Sequence, residues 1–139
     1  MHCHVWFVTK YRKPILQDGM ERAIKDIFAE CIQRHKYKVL EYETNKDHVH
    51  LLVEVNTKEE LSAVVRTLKS VSSREIHLGL CLQGKCRYHR RKPVEKGKAF
   101  WATRYGYRQV QKIEIEKVRR YIRNQKKEQD PMLPHGECN

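Results

Sequence analysis

Two short stretches of this chain hold side chains that could do chemistry together. The first is Asp47-His48-Val49-His50-Leu51-Leu52-Val53-Glu54-Val55. Residues two apart on a strand share a face, so His48 and His50 stand side by side while Val49, Leu51, Val53 and Val55 face a core. Paired imidazoles suit a divalent cation, or they are incidental on a half-exposed strand, since two ligands alone do not make a site. The second stretch is the periodic segment from about Ile113 to Lys127. At about 100° per residue, Ile115, Val118 and Ile122 form a narrow apolar stripe. Tyr121 and Gln125 lie one turn apart on its shoulder, placed either for one small site or as a boundary tyrosine and a solvated glutamine. Arg119, Arg120, Arg123 and Lys127 spread around the rest of that helix.

The elements that must position these residues can be read in order. His2 to Lys10 alternates around Val5, Trp6, Phe7 and Val8 and reads as a strand, broken by Lys10-Tyr11-Arg12-Lys13-Pro14. From about Met20 to His35, Ala23, Ile24, Ile27, Phe28, Cys31 and Ile32 recur at three and four, the period of an amphipathic helix. Tyr37 to Tyr42 reads as a second strand, and Thr44-Asn45-Lys46 as a tight connection to the histidine strand. Asn56-Thr57 caps a helix running to about Leu78, with Glu59 and Glu60 in its first turn, where the dipole favours acids. Gly79 to Lys98 is irregular: Lys85, Arg87, Arg90, Arg91, Lys92, Lys96 and Lys98 against Glu95 give it a charge of +6, the mark of a basic loop. Phe100 to Tyr107 resumes an aromatic-rich, strand-like pattern, followed by a flexible-looking Gly106 to Lys112 and the tyrosine helix. Pro131 and Pro134 mark residues 129–139 as a loose tail.

Strand, helix, strand, strand, helix, strand is the order of a ferredoxin-like sheet. The predicted fold is therefore α+β: a ferredoxin-like (RRM-like) antiparallel sheet with helices on one face, plus a C-terminal helix carrying the tyrosine. At 139 residues the chain reads as a single domain, 1–139. The other face of the sheet, where His48 and His50 point, is left to bind.

Composition narrows the partner. Lys+Arg number 29 against 17 Asp+Glu, for a net charge of +12 and a pI of about 9.6, which favours a polyanion such as nucleic acid. The absence of a long apolar run argues against a transmembrane helix, and the first residues lack the features of a signal peptide; a cytoplasmic location and no membrane partner are expected. Five cysteines (Cys3, Cys31, Cys81, Cys86 and Cys138) include no CxxC pair, so reduced thiols are expected rather than a disulfide framework. Cys81, Cys86 and His89, like His2-Cys3-His4, fit no paired zinc spacing well.

The strand Asp47-His48-Val49-His50-Leu51-Leu52-Val53 resembles the His-hydrophobic-His motif of HUH endonucleases. Val118-Arg119-Arg120-Tyr121-Ile122-Arg123-Asn124-Gln125 resembles the tyrosine helix of the single-tyrosine transposases in that superfamily, which move certain insertion sequences as single-stranded DNA. Val5-Trp6-Phe7-Val8-Thr9-Lys10-Tyr11-Arg12-Lys13-Pro14 is similar to that family's first strand, and Leu68-Lys69-Ser70-Val71-Ser72-Ser73-Arg74 to its second helix. The resemblance covers almost the whole chain in the right order; the basic stretch around Cys81 to Lys98 matches no fixed family motif.

The resemblance implies roles. His48, His50 and Gln125 would be ligands to Mg²⁺ or Mn²⁺, with Mn²⁺ the better match to imidazole, and Asp47 would either orient the site or serve only as a turn residue. Tyr121 would be the nucleophile that forms a 5′-phosphotyrosine, although a phenol with a reference pKa of about 10 is scarcely ionised at neutral pH and needs help. The implied substrate is single-stranded DNA with hairpin ends. Lys10, Arg12, Lys69, Arg74, Arg87, Arg90 and Arg91 are candidates for phosphate contacts, and Trp101, Tyr105 and Tyr107 for stacking on bases, with core packing the competing reading for Trp101. Relatives are dimers, so a homodimer with Tyr121 supplied in trans across a Gly106 to Lys112 hinge is expected as one arrangement. Competing readings are a non-catalytic RRM-like nucleic-acid binder and an HUH enzyme acting on dispersed repetitive palindromes.

Overall fold

The computed structural model describes residues 1–78, 99–125 and 137–138. Strand β1 (His2–Val8), helix α1 (Met20–His35), strands β2 (Lys38–Asn45) and β3 (His48–Glu54), helix α2 (Lys58–Leu78) and strand β4 (Gly106–Val110) follow one another in the predicted order. Helix α3 (Ile115–Arg123), a two-residue strand β5 (Glu137–Cys138) and 3-10 turns at Lys10–Arg12 and Lys112–Glu114 complete the described elements. The sheet order is β2-β3-β1-β4-β5, with every pairing antiparallel. Read from β4, the sequence 4-1-3-2 is the ferredoxin-like arrangement, in which each αβ return places its helix on the same side.

Alternation decides which residues go where. Cys3, Val5 and Phe7 of β1 and Val49, Leu51 and Val53 of β3 face α1 and α2 and join Ile24, Phe28, Leu61, Val65 and Leu68 in the main core. Helix α2 is capped by Thr57, whose Oγ1 accepts from Glu60 N at 3.1 Å and satisfies one orphan donor of the first turn; Glu60 Oε2 reaches further back and accepts from Asn56 N at 3.0 Å.

The opposite face is not left open. Helix α3 lies on it, and Leu52, Val110, Val118 and Ile122 form a second, smaller core with Leu40 and Ile115 packed against it. Nine residues are too few for a helix to hold its shape alone in water. Burying Val118 and Ile122 contributes about 1.5–3 kcal/mol each, and polar ties from β2 fix the ends. Arg119 and Arg123 both donate to Glu41 Oε1, at 3.3 and 3.0 Å, and Asn45 Nδ2 donates to the Gln125 carbonyl at 2.9 Å.

Several boundaries differ from the sequence reading. The second strand runs on to Asn45. The fourth strand is Gly106–Val110, not Phe100 to Tyr107. Phe100, Trp101, Tyr105 and Tyr107 are buried in the main core, where Trp101 Nε1 donates to Ser72 Oγ at 2.8 Å and the Tyr105 hydroxyl lies 2.9 Å from Ser62 Oγ. The rings that were candidates for base stacking are thus spent on packing, because a segment with irregular backbone can still fill a core. The expected hinge is also absent: Gly106 to Val110 is paired along β1, and a 3-10 turn, Lys112–Glu114, leads directly into α3. Of the expected tail, 129–139, only Glu137–Cys138 is described, as a strand beside β4; the rest lies outside the described residues.

Candidate functional site

The site lies between β1, β3 and α3. In the β1–β3 register Trp6 is opposite His50 and His4 opposite Leu52. Paired residues share a face, so β1 adds His4 and Trp6 to the face that carries His48 and His50. The four residues that matter most, His4 at 1%, His48 at 3%, His50 at 0% and Gln125 at 3% relative exposure, are all buried. Tyr121 is 36% exposed, so its ring meets both the site and solvent. Its centroid is 5.6 Å from that of His50 and 5.8 Å from that of His4, edge-on in both cases. The centroids of His48 and His50 are 4.9 Å apart.

Hydrogen bonds orient both strand histidines through Nδ1. His48 Nδ1 is 2.7 Å from Asp47 Oδ1, and Arg12 Nε donates to Asp47 Oδ2 at 3.0 Å. Burial of Asp47 opposes ionisation, but the hydrogen bonds from His48 and Arg12 outweigh it and hold the carboxyl below its ordinary pKa. An ionised carboxylate only accepts, so His48 donates through Nδ1 and its Nε2 faces away from Asp47. His50 Nδ1 lies 3.0 Å from His4 Nε2. Burial first, then the neighbouring His4 and His48, push the His50 pKa down to about 2. Burial, then Arg108, lowers that of His4 to about 4. Both rings are neutral at pH 7, as a ligating imidazole must be.

Gln125 follows just past the end of α3. Its Nε2 donates to the Tyr121 carbonyl at 3.1 Å, which fixes the amide plane and identifies Oε1 as the outward lone-pair donor. Gln125 Oε1 and His48 Nε2 are both buried with no hydrogen-bond partner. Buried polar atoms left unpaired cost about 1–3 kcal/mol each, a cost that a bound cation or hydrogen-bonding partner would relieve. Among the described residues no three His, Cys, Asp or Glu side chains are grouped to hold a metal. A three-donor site here therefore depends on the amide of Gln125, and two imidazoles with one amide oxygen form a set that Mn²⁺ or Mg²⁺ accepts.

The sequence candidates fare unequally. His48, His50 and Tyr121 come together within one chain, with Tyr121 carried by its own α3; Gln125 is tied to Tyr121 by its amide and, through Asn45, to the strand position opposite His48. Sequence reasoning assigned no part to His4, which appeared only as a misfit zinc spacing; the signal was that Cys3, Val5 and Phe7 alternate inward, which leaves His4 on the histidine face. Arg12, offered for phosphate contacts, is paired to Asp47. Lys69 is half-buried, donating to the carbonyls of Thr103 at 3.2 Å and Arg104 at 3.4 Å, and burial lowers its pKa. Lys10 lies 5.5 Å over the ring of the exposed Tyr11, and Arg74 is exposed on α2. Arg87, Arg90, Arg91 and the rest of the basic stretch lie outside the described residues, as do Cys81, Cys86 and His89. Cys3 and Cys31 are free, buried thiols.

Fold and site together define a class: a small ferredoxin-like α+β domain, with a buried histidine pair beneath a helix that carries tyrosine. The chain belongs to the IS200-like transposase family, whose pattern matches residues 1–125. It is 25% identical over 122 residues to the ISDra2 transposase TnpA of Deinococcus radiodurans, covering 88% of this chain and 81% of that one. It is 31% identical over 70 residues to the transposase of insertion sequence IS200 from Salmonella typhimurium, covering 50% of this chain and 46% of the other. Among solved structures, a transposase from Deinococcus radiodurans R1 superposes with a TM-score of 0.62 at 24% identity over 91% of both chains. A REP-associated tyrosine transposase bound to a REP hairpin gives 0.59 at 11% identity, over 88% of this chain and 64% of the other. Among the described residues no helix is long and apolar enough to cross a membrane.

Proposed function

We propose that this chain cleaves and rejoins single-stranded DNA at the hairpin ends of an insertion sequence, with Tyr121 as nucleophile and His48, His50 and Gln125 as ligands of Mg²⁺ or Mn²⁺. The observation that carries this reading is that Tyr121 lies edge-on to His50, 5.6 Å between ring centroids, while His48 Nε2 and Gln125 Oε1 are buried without a hydrogen-bond partner. When bound, the cation supplies Lewis acidity toward the scissile phosphate. The protein's own groups do the rest. Asp47 holds His48 by its Nδ1 proton, the Tyr121 carbonyl holds the Gln125 amide, and α3 sets the Tyr121 ring edge-on to His50.

In the proposed reaction the Tyr121 oxygen attacks phosphorus and gives up its proton. The bond from phosphorus to the 3′ oxygen breaks, and that oxygen leaves as a hydroxyl. A 5′-phosphotyrosine results, and attack on it by another 3′ hydroxyl restores the phosphodiester and the phenol. Bonds are exchanged one for one, so no ATP is consumed. The net charge of +12 would gather the DNA backbone in a salt-dependent manner, with Lys10, Arg74, Arg87, Arg90 and Arg91 as the candidate contacts. A homodimer with exchanged tyrosine helices belongs to this reading as an assembly, although the delivery of Tyr121 to its own chain's histidines does not require it. The REP-hairpin complex of a protein sharing the fold supports a hairpin substrate and keeps dispersed palindromes as the second reading.

The test is a labelled single-stranded oligonucleotide bearing hairpin ends, incubated with Mn²⁺ and analysed under denaturing conditions. The wild-type chain should give a covalent adduct that excess chelator abolishes. Tyr121→Phe should give none while binding the DNA within a few-fold of wild type. Adduct formation by Tyr121→Phe, or by the wild type in chelator, would overturn the assignment.

A further inference from the structure

The histidine that sequence reasoning passed over stands where it can control one of the proposed ligands. We propose that His4 is a positioning residue: its Nε2 accepts the Nδ1 proton of His50, which fixes that ring's tautomer and turns its Nε2 lone pair to the cation site. The inference rests on the metal reading above.

The geometry leaves two arrangements for the pair. His4 Nε2 and His50 Nδ1 are 3.0 Å apart, and between two neutral imidazoles that contact holds one proton. If His4 Nε2 donates, His50 keeps its proton on Nε2 and cannot ligate. If His50 Nδ1 donates, Nε2 is a lone pair on the far side of the ring. Only the second arrangement is compatible with a metal ligand, so cation binding and the direction of this hydrogen bond are coupled. The two ligating histidines are therefore supported differently. His48 leans on a carboxylate, which accepts whatever else happens, and Arg12 neutralises that carboxylate. His50 leans on an imidazole, which accepts in only one of its tautomers.

Three features show that His4 is built for this place. It is 1% exposed, and burying a polar ring costs free energy unless a partner repays it. The β1–β3 register fixes its height on the sheet, next to His50 and across from Leu52. Its ring also packs edge-on against Trp6 at 5.3 Å and Tyr121 at 5.8 Å, so the hydrogen bond, the nucleophile and the indole hold one another in place. Supports of ligating histidines typically govern metal affinity by about 10–100-fold.

The experiment measures Mn²⁺ binding to the full chain without DNA, by the electron paramagnetic resonance signal of free Mn²⁺, for wild type, His50→Ala, His4→Leu and His4→Gln. Glutamine can present Oε1 as an acceptor near the position of His4 Nε2; leucine cannot. The inference predicts that His4→Leu binds Mn²⁺ about 10–100-fold more weakly than wild type, and that His4→Gln recovers to within a few-fold. Melting curves in chelator verify that each variant is folded. Should His4→Leu not fold, ¹⁵N imidazole shifts of the wild type in saturating Mg²⁺ decide the matter: His50 Nδ1 must be protonated and His4 Nε2 must not. A proton on His4 Nε2, wild-type affinity in His4→Leu, or equal loss in His4→Leu and His4→Gln overturns the role of His4. Absence of Mn²⁺ binding by the wild type overturns the metal reading itself, and this inference with it.

Discussion

Asp47 has both oxygens committed, one to His48 Nδ1 and the other to Arg12 Nε, so its carboxylate has no freedom to turn. The turn that brings Arg12 there is held in an unusual backbone. Tyr11 and Arg12 have φ of 60° and 52°, the left-handed region that costs a non-glycine residue about 1 kcal/mol or more. Thr9 anchors this turn by donating its amide to the Asp47 carbonyl at 2.9 Å and its hydroxyl to the Lys13 carbonyl at 2.8 Å. The two partners of Asp47 differ in consequence. Arg12 is more than half exposed in its side chain, and a solvated ion pair contributes about 0–1 kcal/mol; Arg12→Ala should therefore alter stability by no more than that. Asp47→Asn, which can turn an NH₂ donor toward His48, should release the His48 tautomer and weaken Mn²⁺ binding by about 10–100-fold. Calorimetric titration of both variants checks the contrast, and equal Mn²⁺ affinity in Asp47→Asn and wild type would count against a supporting role for Asp47.

At the scale of elements, β4 is decided by a close approach. Gly106 lies opposite Trp6, and a Cβ added at Gly106 would lie only 2.3–2.6 Å from three atoms of the indole ring. Gly106→Ala must push Trp6 off the sheet, and Trp6 packs against His4. Overpacking of this kind costs about 1–3 kcal/mol, so the variant should melt several degrees lower and lose Mn²⁺ affinity together; an unchanged melting temperature would refute the packing argument. The same glycine shows where the sequence misleads. Next to an aromatic run it reads as a flexible hinge, whereas its missing side chain is a space that Trp6, a hundred residues earlier, occupies. Local pattern sufficed where both faces of an element obey one period. The alternation through His48 to Val55 placed every side chain on its proper face, and Ile115, Val118 and Ile122 marked the buried stripe of α3. It left Trp101 open between stacking and core, and it failed for Tyr105, whose partner Ser62 lies on α2, and for His4, whose meaning depends on the register between β1 and β3. Non-local pairing of that kind leaves no periodicity to read.

For the molecule as a whole, the two buried neutral rings link stability to pH. His4 and His50 both have folded pKa values below the 6.5 of an exposed histidine. In the unfolded chain each would bind a proton once the pH falls below about 6.5, while the folded chain resists until far lower. The unfolded state thus holds more protons throughout that window, so stability is fully present above the unfolded value and is lost as pH falls toward the folded ones. Each ring contributes a slope of up to about 1.4 kcal/mol per pH unit, and two such slopes are large against a total stability of about 5–15 kcal/mol. Thermal melts in chelator should show the melting temperature falling steeply between pH 7 and pH 5. His4→Gln removes one of the two titrating groups and should flatten that dependence by about half. A melting temperature independent of pH across this range would mean that the histidines are not held neutral by burial. A wild-type slope preserved in His4→Gln would instead place the acid sensitivity in groups other than His4.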